Sequence, residues 1–389
     1  VISKLFHATK LKILKLTGNH MAKEQNISTN NDVKVLLIAV QAPNNHIQDI
    51  QSYHDEFISL AKTLGVVDYD IIYIKLRSFD NKYFFTQGKL EEIKVAFDQY
   101  GAAEIIISDQ LNGQQERNLQ DYLDCRIFDR TRLILSIFER NATTAEGKLQ
   151  VEIAKLALLK TRLAGHGIHL EQQAGTIGVK GPGETLKEET SRHIEQLMLI
   201  AKRKIAQLEK TRETQRKQRI NHEITQYCLI GYTNSGKSTI LNMLTNSDVL
   251  AENKLFATLD TATRQLFVNH KKVGLISDTV GFIQNLPHQL IDAFKSTLAE
   301  LQYANLLLHV VDISNPNWKS QMNVVFATLK DIKINKDMLI VFNKSDLLTP
   351  EELEDRINAF DIAIPFVVVN ALSKDGLENL ANYIAAYKA

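Results

Sequence analysis

Residues 231–239 read GYTNSGKST, a complete G-x-x-x-x-G-K-[ST] pattern between the strand-like run 227–230 and a helix-like run, STILNML. Few folds tolerate that order. Gly231 and Gly236 let the backbone turn so that the N–H groups of Tyr232, Thr233, Asn234 and Ser235 face inward. The following helix, opened by Lys237, Ser238 and Thr239, aims its positive end at the same point. That geometry is an anion site, and the strand before and helix after are the context the pattern requires. Lys237 is placed to reach β- and γ-phosphates as a point charge, and the Ser238 hydroxyl to ligate Mg²⁺, so the segment implies a nucleoside triphosphate.

The base is addressed downstream. After the apolar run MLIV comes Asn343-Lys344-Ser345-Asp346, an N-K-x-D box. The Asp346 carboxylate accepts two hydrogen bonds from guanine N1–H and N2–H₂, whereas adenine presents a lone pair at N1 and leaves it unpaired. Asn343 is expected to tie the box to the phosphate loop, and the Lys344 stem to cover the purine face. Taken alone, a helix-capping turn explains the same four residues. Between the two motifs lies LISDTVGF, residues 275–282, an apolar strand ending in D-T-x-G. Asp278 is expected to hold Mg²⁺ through its water shell, with Thr279 and Val280 leading to Gly281, whose N–H senses the γ-phosphate. Three motifs in this order, each at a strand's C-terminal end, are what a doubly wound sheet delivers at one edge.

Residues 226–389 thus resemble the G domain of the translation-factor-related GTPases. By that resemblance the segment Phe256-Ala257-Thr258-Leu259-Asp260 is the first switch, with Thr258 similar to the threonine that binds Mg²⁺ and closes over the γ-phosphate. Lys237, Thr258 and Gly281 are then the catalytic set, and Ser238, Thr258 and Asp278 the metal set. Phe282 stands where Ras-like enzymes carry the glutamine that orients water. Asn234 resembles the asparagine by which some relatives bind K⁺ beside the phosphates, although a turn also accounts for Asn there. Where relatives show S-A-K before the last helix, this chain reads Asn370-Ala371-Leu372, and Ala371 still offers a backbone N–H to guanine O6.

The upstream half narrows the resemblance. QGKLEEI (87–93), FDRTRLILSIFERNATTAEGKLQVEIAKLALLKTRL (128–163), GPGETLKEE (181–189) and FATLD together resemble the HflX family of ribosome-associated GTPases. A departure follows GPGET, where the family usually shows a basic pair and this chain has Leu186 and Lys187.

The rest of the chain fits a multidomain α/β protein. Strand-like runs at 33–40, 69–76, 103–110 and 125–130 alternate with helical patterns, which predicts a small parallel α/β domain over 33–130 without a phosphate loop of its own. Asp109 and Asn112 follow a strand end and are read as a turn. Residues 131–221 read as an antiparallel helical hairpin arm with a mobile tip. Its second helix carries Ile194, Leu197, Ala201, Ile205 and Leu208 at heptad-like spacing, and its tip holds Gly165, Gly167, Gly175, Gly178, Gly181 and Gly183 with His166, His169 and Lys180. Residues 222–389 form the GTPase domain. Residues 1–32 are a separate extension, with Lys4, Lys10, Lys12 and Lys15 and no acid in the first twenty positions.

Charge is distributed unevenly. The chain's net charge is only +1, yet residues 187–219 hold ten Lys or Arg against five Glu, while residues 226–389 hold 14 basic and 17 acidic residues. A stripe of Lys202, Arg203, Lys204, Arg212, Arg216, Lys217 and Arg219 suits phosphate backbone without sequence readout; a solvated helix face is the plainer explanation. Cys125 and Cys228 are expected to be buried free thiols. No apolar stretch approaches the roughly 18 residues of a membrane span. The resemblance therefore implies a cytoplasmic, monomeric GTP hydrolase with GTP or GDP, Mg²⁺ and possible K⁺ as ligands. Its partner would be the large ribosomal subunit and its rRNA, and its duty to split or rescue stalled or idle ribosomes. A protein-partner signalling switch and an ATP-dependent RNA remodeller are the other classes these features admit.

Overall fold

The computed structural model describes residues 27, 33–43, 49–164, 182–221, 224–245, 254–259, 261–269, 271–287, 290, 300–373 and 375–387, with side chains of 188–210 alone described in the helix from 182 to 221. The expectations for residues 1–26 and for the glycine-rich stretch 165–181 lie outside these. The chain divides into two compact units, Val1–Glu139 with Val151–Arg203, and Arg140–Gln150 with Lys204–Ala389.

The first unit alternates β1 (Val35–Gln41), α1 (Ile50–Leu64), β2 (Tyr69–Lys75), α2 (Gln87–Tyr100), β3 (Glu104–Ile107), α3 (Gly113–Leu123), β4 (Arg126–Asp129) and α4 (Arg130–Asn141). Its four strands pair in parallel in the order β2-β1-β3-β4. Residues 35–40 of β1 are all buried because helices cover both faces of a parallel sheet. The helix ends follow local chemistry: the Asp49 carboxylate accepts from Gln51 and Ser52 N–H groups, and Gly65 closes α1 in the left-handed region. Asn112, read from sequence as a turn residue, is the N-cap of α3 and forms a capping box with Gln115.

Two long helices follow, α5 (Ala145–Ala164) and α6 (Pro182–Asn221). The α6 helix begins at Pro182, so Pro182 and Gly183 belong to the helix rather than to the tip; proline suits the first helical position because its missing N–H is not needed there. The two helices pack through Leu156, Leu159 and Leu163 against Ile194, Leu197 and Met198, joined by a Lys160–Glu195 ion pair of 2.7 Å. The expected apolar stripe is buried at Ile194, Leu197 and Ala201, then opens: Ile205 is half-buried and Leu208 exposed.

In the second unit, β5 (Gln226–Gly231), α7 (Lys237–Thr245), β6 (Ala262–Val268), β7 (Lys271–Asp278), β8 (Leu306–Asp312), α8 (Trp318–Asp331), β9 (Met338–Asn343), α9 (Pro350–Asn358), β10 (Phe366–Val368) and α10 (Glu378–Ala386) build a six-stranded sheet in the order β10-β9-β8-β5-β7-β6. All neighbours are parallel except β6, which runs antiparallel to β7. Ile240, Leu241, Leu380 and Ile384 cover one face with Leu229, Leu308 and Val341. Val325 and Leu329 pack with Cys228, Ile230 and Leu307, and Trp318 and Met322 with Ile340 and Phe342. This is the doubly wound class expected, and it places the ends of β5, β7 and β9 along one edge.

Candidate functional site

Every described motif residue belongs to the second unit, carried by the loops after β5, β7, β9 and β10 and by the segment between α7 and β6. Thr233, Asn234, Gly236, Lys237, Ser238, Thr239, Phe256, Ala257, Thr258, Thr279 and Gly281 line one cleft of about 50 Å³. Gly231 ends β5, Asp278 ends β7 and Asn343 ends β9. Asp260 lies outside the described residues. A much larger cleft, about 820 Å³, opens at the opposite edge near Leu306, Met338, Pro365 and Tyr387, and no motif residue lines it.

The phosphate loop closes against its surroundings. At Gly236, φ is 97° and a Cβ would lie 2.1 Å from Asn343 Nδ2, so only glycine fits. Asn343 donates to the Ser235 carbonyl at 2.9 Å and accepts from the Ala371 N–H at 3.1 Å, which joins the phosphate loop, the N-K-x-D box and the 370–372 loop through one side chain. Lys237 is buried, and its ammonium donates to the carbonyls of Gly231 (3.2 Å) and Tyr232 (2.7 Å). Burial pushes it down to about 8, while Asp278 nearby acts to raise it. A phosphate would compete with these carbonyls for the ammonium. Asn234 sits at φ 60°, a conformation asparagine tolerates better than most residues, which accounts for its type there.

Three hydroxyl or carboxylate groups converge beside Lys237. Ser238 Oγ donates to Asp278 Oδ2 at 2.6 Å and lies 2.7 Å from Thr258 Oγ1. Asp278 is fully buried, and its Oδ1 has no hydrogen-bond partner within the protein. Burial raises its pKa, against the pull of Lys237 and of hydrogen bonds from Ser238, Thr258 and the Thr279 N–H. Hard oxygen donors around an orphaned buried carboxylate oxygen fit a small divalent cation such as Mg²⁺. Thr233 Oγ1 and Ser235 Oγ are likewise buried without protein partners.

The second switch segment is clipped to the phosphate loop. Phe282 donates its N–H to the Gly231 carbonyl (3.1 Å) and accepts from the Thr233 N–H (2.8 Å), and the Tyr232 hydroxyl accepts from the Gln284 N–H at 2.9 Å. A Cβ on Gly281 would lie 2.8 Å from Thr233 Cα and Cγ2. Phe282 itself points into the core with Cys228, Ile230, Leu301 and Val325. Leu259 and Val280 are buried, and Phe256, at φ 55°, accepts at its carbonyl from Asn141 Nδ2 at 2.7 Å.

At the base end, Asp346 is exposed in the 3₁₀ turn Ser345–Leu347, which the Ser345 hydroxyl ties to the Val369 carbonyl at 3.0 Å. Lys344 adopts φ 62°, and its ammonium pairs with Asp312 Oδ2 at 2.7 Å. Asn370 accepts from the Leu372 N–H at 2.9 Å, and Leu372 is exposed. Sequence reasoning missed three neighbours and one role. Lys254 lines the phosphate cleft, Asp312 holds Lys344 and Asn141 holds Phe256, while Tyr232, expected to contribute its N–H, also acts through its hydroxyl. Of these, Asp312 left a signal, an acid ending the apolar strand LLLHVV.

A doubly wound sheet with a phosphate loop, an aspartate at the adjoining strand end and an N-K-x-D box defines a P-loop GTPase. Three family models match in succession: "GTP-binding GTPase N-terminal" over residues 51–139, "GTP-binding GTPase Middle Region" over 141–219 and "50S ribosome-binding GTPase" over 226–344. GTPase HflX of Caldanaerobacter subterraneus subsp. tengcongensis is 42% identical over 85% of this chain and 76% of its own length. GTPase HflX of Lacrimispora saccharolytica is 40% identical over 90% and 82%. A crystal structure of a GTP-binding protein from the archaeon Sulfolobus solfataricus in complex with GDP aligns over 90% of this chain and 99% of that one, at 22% identity and a TM-score of 0.45. The chain belongs to the HflX family of GTPases, and it binds and hydrolyses GTP.

Proposed function

We propose that this GTPase is a cytoplasmic, monomeric factor that binds the large ribosomal subunit in its GTP state, separates or rescues stalled or idle ribosomes, and leaves when GTP is hydrolysed. The observation that carries the reading is the match of residues 226–344 to a family described as 50S ribosome-binding, in a chain of the HflX family. The uneven charge supports it: the basic excess over residues 187–219 gives α6 an affinity for RNA phosphates that needs no base readout. Lys202, Arg203 and Lys204 are among the described residues, Lys202 and Arg203 exposed and Lys204 half-buried, whereas the side chains of Arg212, Arg216, Lys217 and Arg219 lie outside them.

The nucleotide contacts follow from the site. Lys237 and the phosphate loop 231–239, apart from the Thr233 N–H that the Phe282 carbonyl accepts, take the β- and γ-phosphates, Asp346 the guanine edge, and Ala371 and Leu372 the rim of the base pocket. Ser238, Thr258 and Asp278 would hold Mg²⁺, which supplies charge neutralisation at the phosphate oxygens. Thr258 and Gly281 read the γ-phosphate, one from each switch. When that phosphate leaves, Thr258 loses a partner in the first switch and the Gly281 N–H one in the second, so the two segments change together. K⁺ beside Asn234 is a further source of charge in this reading.

Co-sedimentation of the full chain with purified large subunits tests the reading. The expected result is pelleting with a non-hydrolysable GTP analogue, weakened by GDP and by added salt, and dissociation of whole ribosomes seen as a fall in light scattering. No pelleting in either nucleotide state would sink it and favour a switch acting on a protein partner.

A further inference from the structure

We infer that Lys254 is a catalytic residue of GTP hydrolysis, an ammonium built into the first switch that stabilises the charge developing on the γ-phosphoryl group. The inference rests on the GTPase activity of the family and not on ribosome binding.

The chemistry requires positive charge beyond one lysine and a metal. A water oxygen forms a bond to the γ-phosphorus while the bond to the β–γ bridging oxygen breaks. That electron pair passes to GDP, and one water proton ends on the released phosphate. Through this step charge shifts onto the bridging and equatorial oxygens, and donors fixed near them lower the barrier. Phe282 has no group to offer, being apolar and buried in the core.

Among the described residues lining the phosphate cleft, Lys237 and Lys254 carry positive side chains. Lys237 is buried in the helix start and serves the ground-state phosphates. Lys254 is exposed on a long stem at the cleft's rim. The short segment that carries it is held firmly downstream. Leu255, Phe256 and Leu259 are buried, the Phe256 carbonyl is bonded by Asn141, and Thr258 meets Ser238. Lys254 and Thr258 line the same cleft, so the segment that carries Thr258 also presents the Lys254 stem to it. The ammonium lowers the barrier as far as its attraction grows while charge moves onto the bridging and equatorial oxygens, and GDP, which lacks the γ-phosphate, does not draw on it.

A covalently attached cation also differs from a K⁺ ion at Asn234 in a measurable way, because it works equally in K⁺ and Na⁺ buffers. The test is single-turnover GTP hydrolysis by the full chain without ribosomes, in KCl and in NaCl. It is run for the wild type, Lys254→Met and Lys254→Arg, beside GDP affinity and capture of GDP with aluminium fluoride. Lys254→Met is expected to lower kcat by about 10²-fold in both salts. GDP affinity should stay within about twofold, the aluminium fluoride complex should be lost, and Lys254→Arg should restore most of the rate. A Lys254→Met rate within about twofold of wild type would overturn the assignment, as would a fall matched by an equal loss of GDP affinity. Strong K⁺ stimulation that survives Lys254→Met unchanged would also overturn it and assign the charge to Asn234.

Discussion

Both units are built on sheets whose central strands run parallel, with β6 of the second antiparallel to β7, yet the C-terminal edges of those strands are finished in opposite ways. Beyond β3 and β4 the first sheet gathers Glu56, Asp109, Glu116, Asp129, Arg130 and Arg162, all buried. These charges answer one another. Arg130 pairs with Glu56 and stacks over Tyr53, while Arg162 bonds Glu116 at 2.8 Å and Asp129 at 3.1 Å. At the same edge of the second sheet, Asp278 Oδ1, Thr233 Oγ1 and Ser235 Oγ are buried without protein partners, and Lys237 is tied to carbonyls that a phosphate can replace. Topology alone marks both edges as candidates; charge pairing separates the structural one, where arginines answer Glu56, Glu116 and Asp129, from the chemical one, where Asp278 meets the Ser238 hydroxyl and Lys237 is held by carbonyls.

That contrast can be broken from either side. Arg162→Met leaves the Glu116 and Asp129 carboxylates buried without their cation, and should destabilise the first unit by about 3–5 kcal/mol in urea unfolding. GDP affinity should stay within about twofold, because the ion pairs lost join residues of the first unit alone. Asp278→Asn at the second edge should do the reverse. Mg²⁺-supported kcat is expected to fall by about 10²–10³-fold, roughly 3–4 kcal/mol, with little change in the unfolding midpoint.

Two smaller effects sharpen the account within the second unit. His309 on β8 is buried, packs edge-on against Phe326, and is pushed by burial, with help from Lys237, down to about 3. Unfolded, it binds a proton near pH 6.5. The folded state thus binds fewer protons between those values, and stability is full above pH 6.5 and falls as the pH drops toward 3. The steepest loss from this one group is about 1.4 kcal/mol per pH unit. His309→Leu should flatten that acid limb in thermal unfolding. Tyr232→Phe removes the acceptor for the Gln284 N–H at the switch clip and should cost about 1 kcal/mol of clip stability. The readout is the ratio of GTP-analogue to GDP affinity, expected to move several-fold while hydrolysis persists.

Much of the second unit was legible because its chemistry is local in sequence. Gly231 to Thr239, Asp278 to Gly281 and Asn343 to Asp346 each form a short motif at a strand end, and the apolar runs before them specify those strands. The antiparallel strand β6 was not read, since ATRQLFV shows neither a long apolar run nor strict alternation. Partners distant in sequence escaped for a different reason. Tyr232 with Gln284, Asp312 with Lys344 and Asn141 with Phe256 are separated by 52, about 32 and 115 positions, and only the folded register brings them together. In the first unit the strands were plain, whereas the pairing of its buried charges depends on Arg162 arriving from α5. The heptad-like stripe of α6 was read as continuous. Periodicity reports which residues share a face, not where the neighbouring helix stops covering it.

The most direct test of the central claim is calorimetric titration of the full chain with GDP and Mg²⁺, for the wild type and Lys237→Ala. The account predicts one GDP per chain for the wild type and no measurable binding for the variant. A second equivalent of GDP, or tight binding that survives Lys237→Ala, would contradict the assignment of the guanine nucleotide to the second sheet alone.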